Sequence, residues 1–375
     1  MPNEDKPKSW IGVGDISPLF FAAGAGATAA WLWWSSRRRP LPTDNTMSGR
    51  VCVVTGANAG IGKATATALA QKGAHVVLAC RSPTKCADAC RDIRRVVPGA
   101  DLETLPLDLS SVESIREFVN LFGKTGLPLH VLINNAGIIP GEPGLVRGME
   151  RSMVVNHLGP FLLTHLLLPN LRSGATTQAA GDPSPSRIVN VGSRLEKRGS
   201  LWAAQEPGTT APPGRRWFEP PPGKKHEAFQ LYGSSKLCNM LATFELDRRL
   251  KARKERTQPA AGSGPGGGAT ERAVIANIVT PGLVNTKLGD STLNPWVAWA
   301  AAPLKAALWR TVTKGAETVV WAATSPDIEA IGGGKYFGDM EEVSCSEASK
   351  DPDLARRVWE ASEIASGLDK SERIL

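Results

Sequence analysis

The sequence predicts an α/β protein built on a doubly wound parallel sheet. Two observations carry this. Short apolar β runs alternate with amphipathic helical stretches along most of the chain, and a glycine-rich turn joins the first strand to the first helix. Val51–Thr55 is the first strand and breaks into Gly56-Ala-Asn-Ala-Gly-Ile-Gly62; Lys63–Lys72 then reads as a helix with Ala64, Ala68 and Leu69 on one face. His75–Ala79 is a second strand, Asp88–Val97 a helix, and Leu102–Leu107 a third strand. Ser110 or Ser111 caps the next helix, with Glu113 in its first turn. Leu129–Ile133 is a fourth strand ending in Asn134-Asn135-Ala136-Gly137. Met149–Leu171 is a long helix that Pro160 should kink and Pro169 should end. Ile188–Val191 is a fifth strand, Leu231–Leu250 a helix, Val274–Val279 a sixth strand and Lys335–Phe337 a seventh. Strands separated by helices imply a parallel sheet covered on both faces.

Three stretches break the rhythm. Residues 173–186, 195–225 and 257–270 are rich in Gly, Pro, Ala and Ser and read as mobile surface insertions. The second holds Arg194, Lys197, Arg198, Arg215, Arg216, Lys224 and Lys225 around its span, with Trp202 and Trp217, and reads as a solvated loop or a basic docking loop.

Composition narrows the classes. With 375 residues and 42% hydrophobic side chains the chain can bury a sizeable core, and its glycines and prolines show no collagen period. Six cysteines are too sparse for a disulfide scaffold, and Cys86 and Cys90 lack the His or second Cys pair a zinc finger needs, so no metal is expected. The net charge of +8 admits anionic partners, but the cations form no stripe interleaved with aromatics, which argues against nucleic acid.

The amino-terminal end reads as separate from the fold. Residues 1–15 are a tail, and 16–36 form an uncharged stretch of 21 residues ended by Arg37, Arg38 and Arg39. Such a stretch makes a helix of about 31 Å, enough to cross a hydrocarbon core of ~30 Å. Trp31, Trp33 and Trp34 fall where an interfacial aromatic belt would lie. No small-residue cleavage site precedes the arginines, and Glu4, Asp5 and Asp15 are unusual in a transit peptide, so a membrane anchor is the expectation, followed by a basic linker, 37–48. The three arginines outnumber Lys6 and Lys8 before the span, which places the body, 49–375, on the cytosolic side.

The glycine turn points to a dinucleotide. Gly56 permits the tight turn, Gly60 lets backbone approach a pyrophosphate, and Gly62 allows close helix packing, with the helix amino terminus facing the phosphates. A free ribose 2′-hydroxyl is usually met by an acid at the end of the second strand; here none appears before Asp88, and Arg81, helped by Lys85, stands there instead. A guanidinium suits a 2′-phosphate, so the expected cofactor is NADP(H).

Tyr232 and Lys236 lie four residues apart, on one face of a helix. A phenol titrates near pH ~10, and a neighbouring ammonium should lower that value and make it a usable acid/base. Ser193, just after the fifth strand, is placed to hold a substrate oxygen, and Asn156 on the long helix to fix a water linking the lysine to solvent.

Taken in order, TGANAGIG, NNAG, VNHLG, IVNVGS ending at Ser193, YGSSK and PGLVNT at Pro281–Thr286 resemble the short-chain dehydrogenase/reductase superfamily over roughly residues 47–370. ACRS at 79–82, LPLDLSSVESIREF at 105–118, SKLCNML at 235–241 and GKYFGDMEE with the DPDLARRVWEASE tail resemble its branch of retinol dehydrogenases, WW-domain-containing oxidoreductase and plastid-envelope relatives. The resemblance implies a Rossmann-type single domain in which Tyr232 is the general acid/base. It further implies that Lys236 binds the nicotinamide ribose, Ser193 orients the substrate and Asn156 holds the relay water. Gly56, Asn58, Gly60, Ile61 and Gly62 would cradle the phosphates. Asp108 and Leu109 would contact the adenine, Asn135, Ala136 and Gly137 would line the cofactor floor, and Pro281, Gly282 and Thr286 would meet the nicotinamide end. A homodimer fits the same resemblance. Two departures stand out: Pro160 replaces a common His, and the gap of 39 residues from Ser193 to Tyr232 is long, so the insertion must loop out without separating the pair.

The leading expectation is a membrane-anchored NADPH-dependent reductase of an apolar carbonyl of the retinoid, sterol or fatty aldehyde class. The membrane itself (endoplasmic reticulum, mitochondrion, lipid droplet or plastid envelope) is left open. A protochlorophyllide-reductase-like enzyme is a second reading, opposed by the glycine of NNAG. An NADP(H)-binding redox-sensing scaffold of a membrane complex is a third, opposed by the intact Ser193, Tyr232 and Lys236. After Thr286, Trp296 and Trp299 share a helix face and are expected to lid the substrate pocket at the membrane surface or to pack on the sheet.

Overall fold

The strongly β-prone runs assemble side by side, as burial on both faces requires. The computed structural model describes residues 47–139, 144–176, 184–201, 215–219, 227–257, 274–284, 310–373 and 375. The strands are β1 (Val51–Thr55), β2 (His75–Cys80), β3 (Leu102–Pro106), β4 (Val131–Asn134), a small hairpin β5–β6 (Leu145–Val146 and Met149–Glu150), β7 (Ser186–Val191), β8 (Val274–Thr280), β9 (Tyr336–Gly338) and β10 (Glu341–Glu342). The main sheet runs β10-β9-β8-β7-β4-β1-β2-β3. Every pairing in it is parallel except the terminal β9–β10. All seven expected strands are present, and the order reverses direction between β1 and β4, where α/β folds open a crevice at the carboxyl ends of the strands.

The helices are α1 (Gly60–Gln71), α2 (Pro83–Val96), α3 (Val112–Lys124), α4 (Arg151–Met153, a π-helical stretch Val154–Leu158, then Gly159–Thr176), α5 (Ala228–Thr257), α6 (Val312–Thr324), α7 (Asp327–Ile331), α8 (Glu347–Lys350) and α9 (Pro352–Ala365). Of the two serines proposed to cap α3, Ser111 does so, its hydroxyl accepting from Ser114 N–H, with Glu113 in the first turn.

Pro160 acts as expected, though through a π turn rather than a simple kink. It has no N–H for the Asn156 carbonyl, and just before it Gly159 N–H reaches back to Val154, one residue beyond the α-helical partner. Pro169 does not end the helix. It sits inside α4, which continues to Thr176 because Leu167, Leu168 and Leu171 are buried in the main core with Phe161, Phe118, Phe122 and Trp359. The Asn170 carbonyl beyond the proline is taken by Leu129 N–H at 3.1 Å. Tertiary burial overrides the local break.

The insertions differ from the surface loops expected. The first begins inside α4 and ends inside β7. In the second, Leu201, Trp217 and Phe218 are buried among Leu237, Leu241 and Val358, and the Arg357 guanidinium lies 4.8 Å from the Trp217 ring. Apolar side chains within a basic, proline-rich stretch carry part of it into the core. The 16–36 span and most of residues 257–270 lie outside the described residues. Among the described residues no helix is long and apolar enough to cross a membrane.

Three histidines are buried and neutral. Burial pushes His130, His157 and His165 down to about 4, whereas an unfolded histidine titrates near 6.5. Between these values the unfolded chain binds more protons, so stability is complete above pH ~6.5 and is lost as pH falls toward ~4. His130 Nδ1 accepts from Val51 N–H at 3.0 Å, a role an asparagine oxygen can take. His130→Asn should therefore reduce proton uptake on unfolding near pH ~5 by almost one proton, as measured calorimetrically in buffers of different ionisation heat. Unchanged uptake would show that His130 titrates alike in both states.

Candidate active site

Most of the expected residues follow the carboxyl ends of the parallel strands: Gly56–Gly62 after β1, Arg81 after β2, Asp108 after β3, Asn135–Gly137 after β4, Ser193 after β7 and Pro281–Gly282 after β8. After β1 the chain turns through Gly56 (φ 67°) and Gly60 (φ 55°), left-handed conformations that favour glycine. A Cβ on Gly62 would lie 2.3 Å from Asn135 Nδ2 and 2.5 Å from the Gly56 carbonyl, so only glycine lets α1 start this close to the turn. Asn135 locks that turn from the end of β4: its Nδ2 donates to the Thr55 carbonyl at 2.8 Å, while Thr55 Oγ1 accepts from the N–H groups of Asn135 and Ala136, each at 3.0 Å. Ala59 caps α1 without a side-chain hydrogen bond, and the first turn holds no acid. The amino-terminal N–H groups of α1, flanked by half-buried Asn58 and Ile61, are therefore not capped by a side chain and suit a phosphate. This is the test for a dinucleotide, and the residues present fit it.

Arg81 and Lys85 are exposed at the end of β2 and in the first turn of α2. Asp108 follows β3; its Oδ1 accepts from Ser110 N–H at 2.9 Å and Ser110 Oγ at 2.6 Å, and buried Leu109 packs beside it. Pro281 and Gly282 follow β8, with Gly282 in the left-handed region at φ 77°. Val284 pairs with Arg310, bringing together the two ends of residues 285–309. Thr286, Trp296 and Trp299 belong to that stretch and lie outside the described residues.

The catalytic candidates sit on α5, α4 and the end of β7. Tyr232 and Lys236 are buried, and Lys236 Nζ lies 5.4 Å from the centre of the Tyr232 ring. Lys236 Nζ donates to the Val191 carbonyl, the last of β7, at 2.8 Å. Two residues further on, half-buried Ser193 is close enough to Tyr232 to favour its phenolate, and its hydroxyl accepts from Leu195 N–H at 3.2 Å. The long insertion does not separate the pair, because its described end returns to α5: Ser200 N–H donates to Ser234 Oγ at 3.0 Å, and that hydroxyl donates back to the Ser200 carbonyl at 2.9 Å.

The expected lowering of the phenol's pKa is not what the structure shows. Burial pushes Tyr232 up to about 12, against the opposing hydrogen bond from Ser193, and pushes Lys236 down to about 8. Loss of solvent disfavours the charged form of each group, the phenolate and the ammonium.

Asn156 lies in the π stretch, and its amide is engaged with the floor of the crevice. Oδ1 accepts from Ile138 N–H at 2.8 Å; Nδ2 donates to the Ile138 carbonyl at 2.9 Å and to Ser235 Oγ at 3.0 Å. Oδ1 also faces Gly137, where a Cβ would lie 3.4 Å from it and 3.7 Å from Lys236 Nζ. Its backbone carbonyl, which Pro160 cannot serve, accepts from Asn239 Nδ2 at 2.8 Å. Asn239 Oδ1 meets His157 Nδ1 at 3.1 Å, and His157 Nε2 meets Ser362 Oγ at 2.8 Å. Sequence reasoning missed this brace. Its signal was the pairing of Pro160 with a polar residue one turn beyond Lys236. A second buried link, Asn134 Nδ2 to Asn190 Oδ1 at 2.8 Å and Asn190 Nδ2 to Thr243 Oγ1 at 2.9 Å, ties β4 and β7 to α5.

The comparisons agree with this geometry. Residues 50–205 match the family model for short chain dehydrogenases. The chain is 32% identical to retinol dehydrogenase 14 of Mus musculus, over 96% of this chain and all of that protein. It is 36% identical to polyprenol dehydrogenase of Mus musculus (83% of this chain, 82% of the other) and 34% identical to the WW domain-containing oxidoreductase of Danio rerio (84% and 68%). Among solved structures, an uncharacterized Mycobacterium paratuberculosis protein matches at 27% identity with a TM-score of 0.59, covering 86% of this chain and 94% of that one. The RhlG/NADP complex of Pseudomonas aeruginosa shares the fold at 23% identity with a TM-score of 0.54, covering 78% and 95%. The protein belongs to the short-chain dehydrogenase/reductase superfamily, in its retinol dehydrogenase branch. As a member of that superfamily it is an oxidoreductase acting on an alcohol or carbonyl group.

Asn239→Leu keeps the volume and removes both hydrogen bonds of the brace. It leaves the Asn156 carbonyl and His157 Nδ1 buried without these partners, so urea denaturation should show a loss of about 1–3 kcal/mol. An unchanged midpoint would mean that Asn239 does not brace the π turn.

Proposed function

We propose that the protein is a membrane-anchored, NADP(H)-dependent oxidoreductase that interconverts an apolar alcohol and its carbonyl compound. The observation that carries the chemistry is the buried pair Tyr232 and Lys236, with Lys236 Nζ 5.4 Å from the centre of the phenol ring and half-buried Ser193 two residues beyond the Val191 carbonyl that Lys236 holds. When bound, the nicotinamide supplies or accepts the hydride. Tyr232 then gives a proton to the substrate oxygen in reduction and takes it back in oxidation, while the Ser193 hydroxyl holds that oxygen. A phenol pushed up to about 12 is protonated at neutral pH, which suits the donor role. Lys236, at about 8, changes charge close to physiological pH and so can pass a proton to or from the site.

For the 2′-phosphate, Arg81 and Lys85 stand exposed at the end of β2, where an acid would select the free hydroxyl. For the substrate class, the support is the apolar 16–36 stretch, the tryptophans at 296 and 299, and the names of relatives that act on retinol and polyprenol. A span followed by three arginines favours a catalytic body on the cytosolic face.

Tyr232→Phe retains the ring's packing and removes the transferable proton. With NADPH and long-chain aldehydes or retinaldehyde, kcat should fall by about 10²-fold or more while NADPH affinity is kept. Turnover near that of the wild type would remove Tyr232 from the chemistry.

A further inference from the structure

Cys80 ends β2 and Cys86 lies in the first turn of α2. Both are buried, and Cys86 Sγ lies 2.6 Å from Cys80 Sγ and 3.4 Å from the Leu78 carbonyl oxygen. The two sulfurs are in direct contact, as formation of a disulfide between them requires. The intervening residues, Arg81 to Lys85, form the loop that carries both cations assigned to the 2′-phosphate, and Ser82 in that loop caps α2 by accepting from Lys85 N–H. Cys90, one turn further along α2 and on the same buried face, is near enough to Cys80 to raise its pKa and is the competing partner. Of the two thiols Cys86 is the one whose pKa is lowered, its hydrogen bond with Cys80 being the largest cause and burial opposing it.

We propose that Cys80 and Cys86 form a redox-active dithiol that peroxides oxidise to a disulfide, stapling the Arg81–Lys85 loop. The Cys86 thiolate attacks one peroxide oxygen and breaks the O–O bond, giving a sulfenic acid, and the departing hydroxide takes up the proton that Cys86 lost on ionising to become water. Cys80 sulfur then displaces hydroxide from it, forming the S–S bond and a second water. In all, two thiols and one hydrogen peroxide become a disulfide and two waters. The closed ring pre-orders Arg81 and Lys85, so oxidation should favour NADPH over NADH; this consequence rests on the cofactor reading above, whereas the bond does not.

The test treats the reduced full-length protein with hydrogen peroxide, blocks free thiols, and maps tryptic peptides without reductant. Cleavage after Arg81 and Lys85 places the two cysteines on separate peptides, Gly73–Arg81 and Cys86–Arg91. The expected product is these two joined, two hydrogens lighter than their sum, in the wild type and in Cys90→Ser, released by dithiothreitol and absent in Cys86→Ser. Both cysteines recovered blocked, over-oxidised singly, or Cys80 joined to Cys90, would overturn the site. On oxidation the NADPH:NADH affinity ratio, read by cofactor fluorescence, should rise by about threefold, the scale of one exposed ionic contact. A bonded protein with an unchanged ratio would overturn the link to the cofactor loop. If Arg81→Asp also left the reduced protein's ratio unchanged, the failure would lie in the assignment of Arg81 rather than in the disulfide.

Discussion

A lysine held out of water fixes where the longest helix meets the sheet. Lys236 is buried, and its ammonium reaches the Val191 carbonyl at the last residue of β7. An ammonium taken out of water needs such partners, so α5 is bound to the strand end at this point. Tyr232 lies one turn before Lys236 on α5, and Ser193 lies two residues after Val191, so the same contact places the phenol against the serine hydroxyl. The geometry survives a gap of 39 residues because the start of the insertion is fastened locally: Ser193 caps the turn that follows it, and Ser200 bonds to Ser234 on α5.

The other half of the site depends on a helix that breaks its own rule. Pro160 removes the donor for the Asn156 carbonyl, the backbone widens into a π turn, and Asn239 of α5 provides the missing hydrogen bond. The proline thereby joins α4 to α5 through a side chain. The same π stretch presents the Asn156 amide to Ile138, which fixes the floor next to Gly137 and Lys236. On the other side the turn after β1 is closed by Asn135, so the end of β4 holds both that glycine turn and, through Ile138, the Asn156 amide.

Much of this was legible because strands and turns are locally encoded. The β-branched runs from Val51 to Val279, the glycines at 56, 60 and 62, and the spacing of Tyr232 and Lys236 all depend on period and steric need, which a sequence displays directly. What was not legible depends on contacts between distant residues. Pro169 was read as a terminator, yet the leucines around it are buried against Phe118 and Trp359 and carry the helix on. Trp217 and Phe218 were hidden in a stretch of proline and arginine, and only their partners Leu237 and Val358 explain their burial. The protonation of Tyr232 was misjudged for the same reason: spacing reveals the lysine, but the burial that dominates comes from the whole fold.

The dependence of the chemistry on the Lys236 anchor is open to a direct kinetic measurement. Lys236→Met keeps a long apolar-tolerant side chain at the site but removes the ammonium that reaches Val191. With NADPH prebound and an apolar aldehyde in excess, stopped-flow absorbance should show the wild type oxidising NADPH in one fast phase. The variant should still bind NADPH but lose that phase. A phase of wild-type rate in Lys236→Met would contradict the role of Lys236 in setting Tyr232 and Ser193 for reaction.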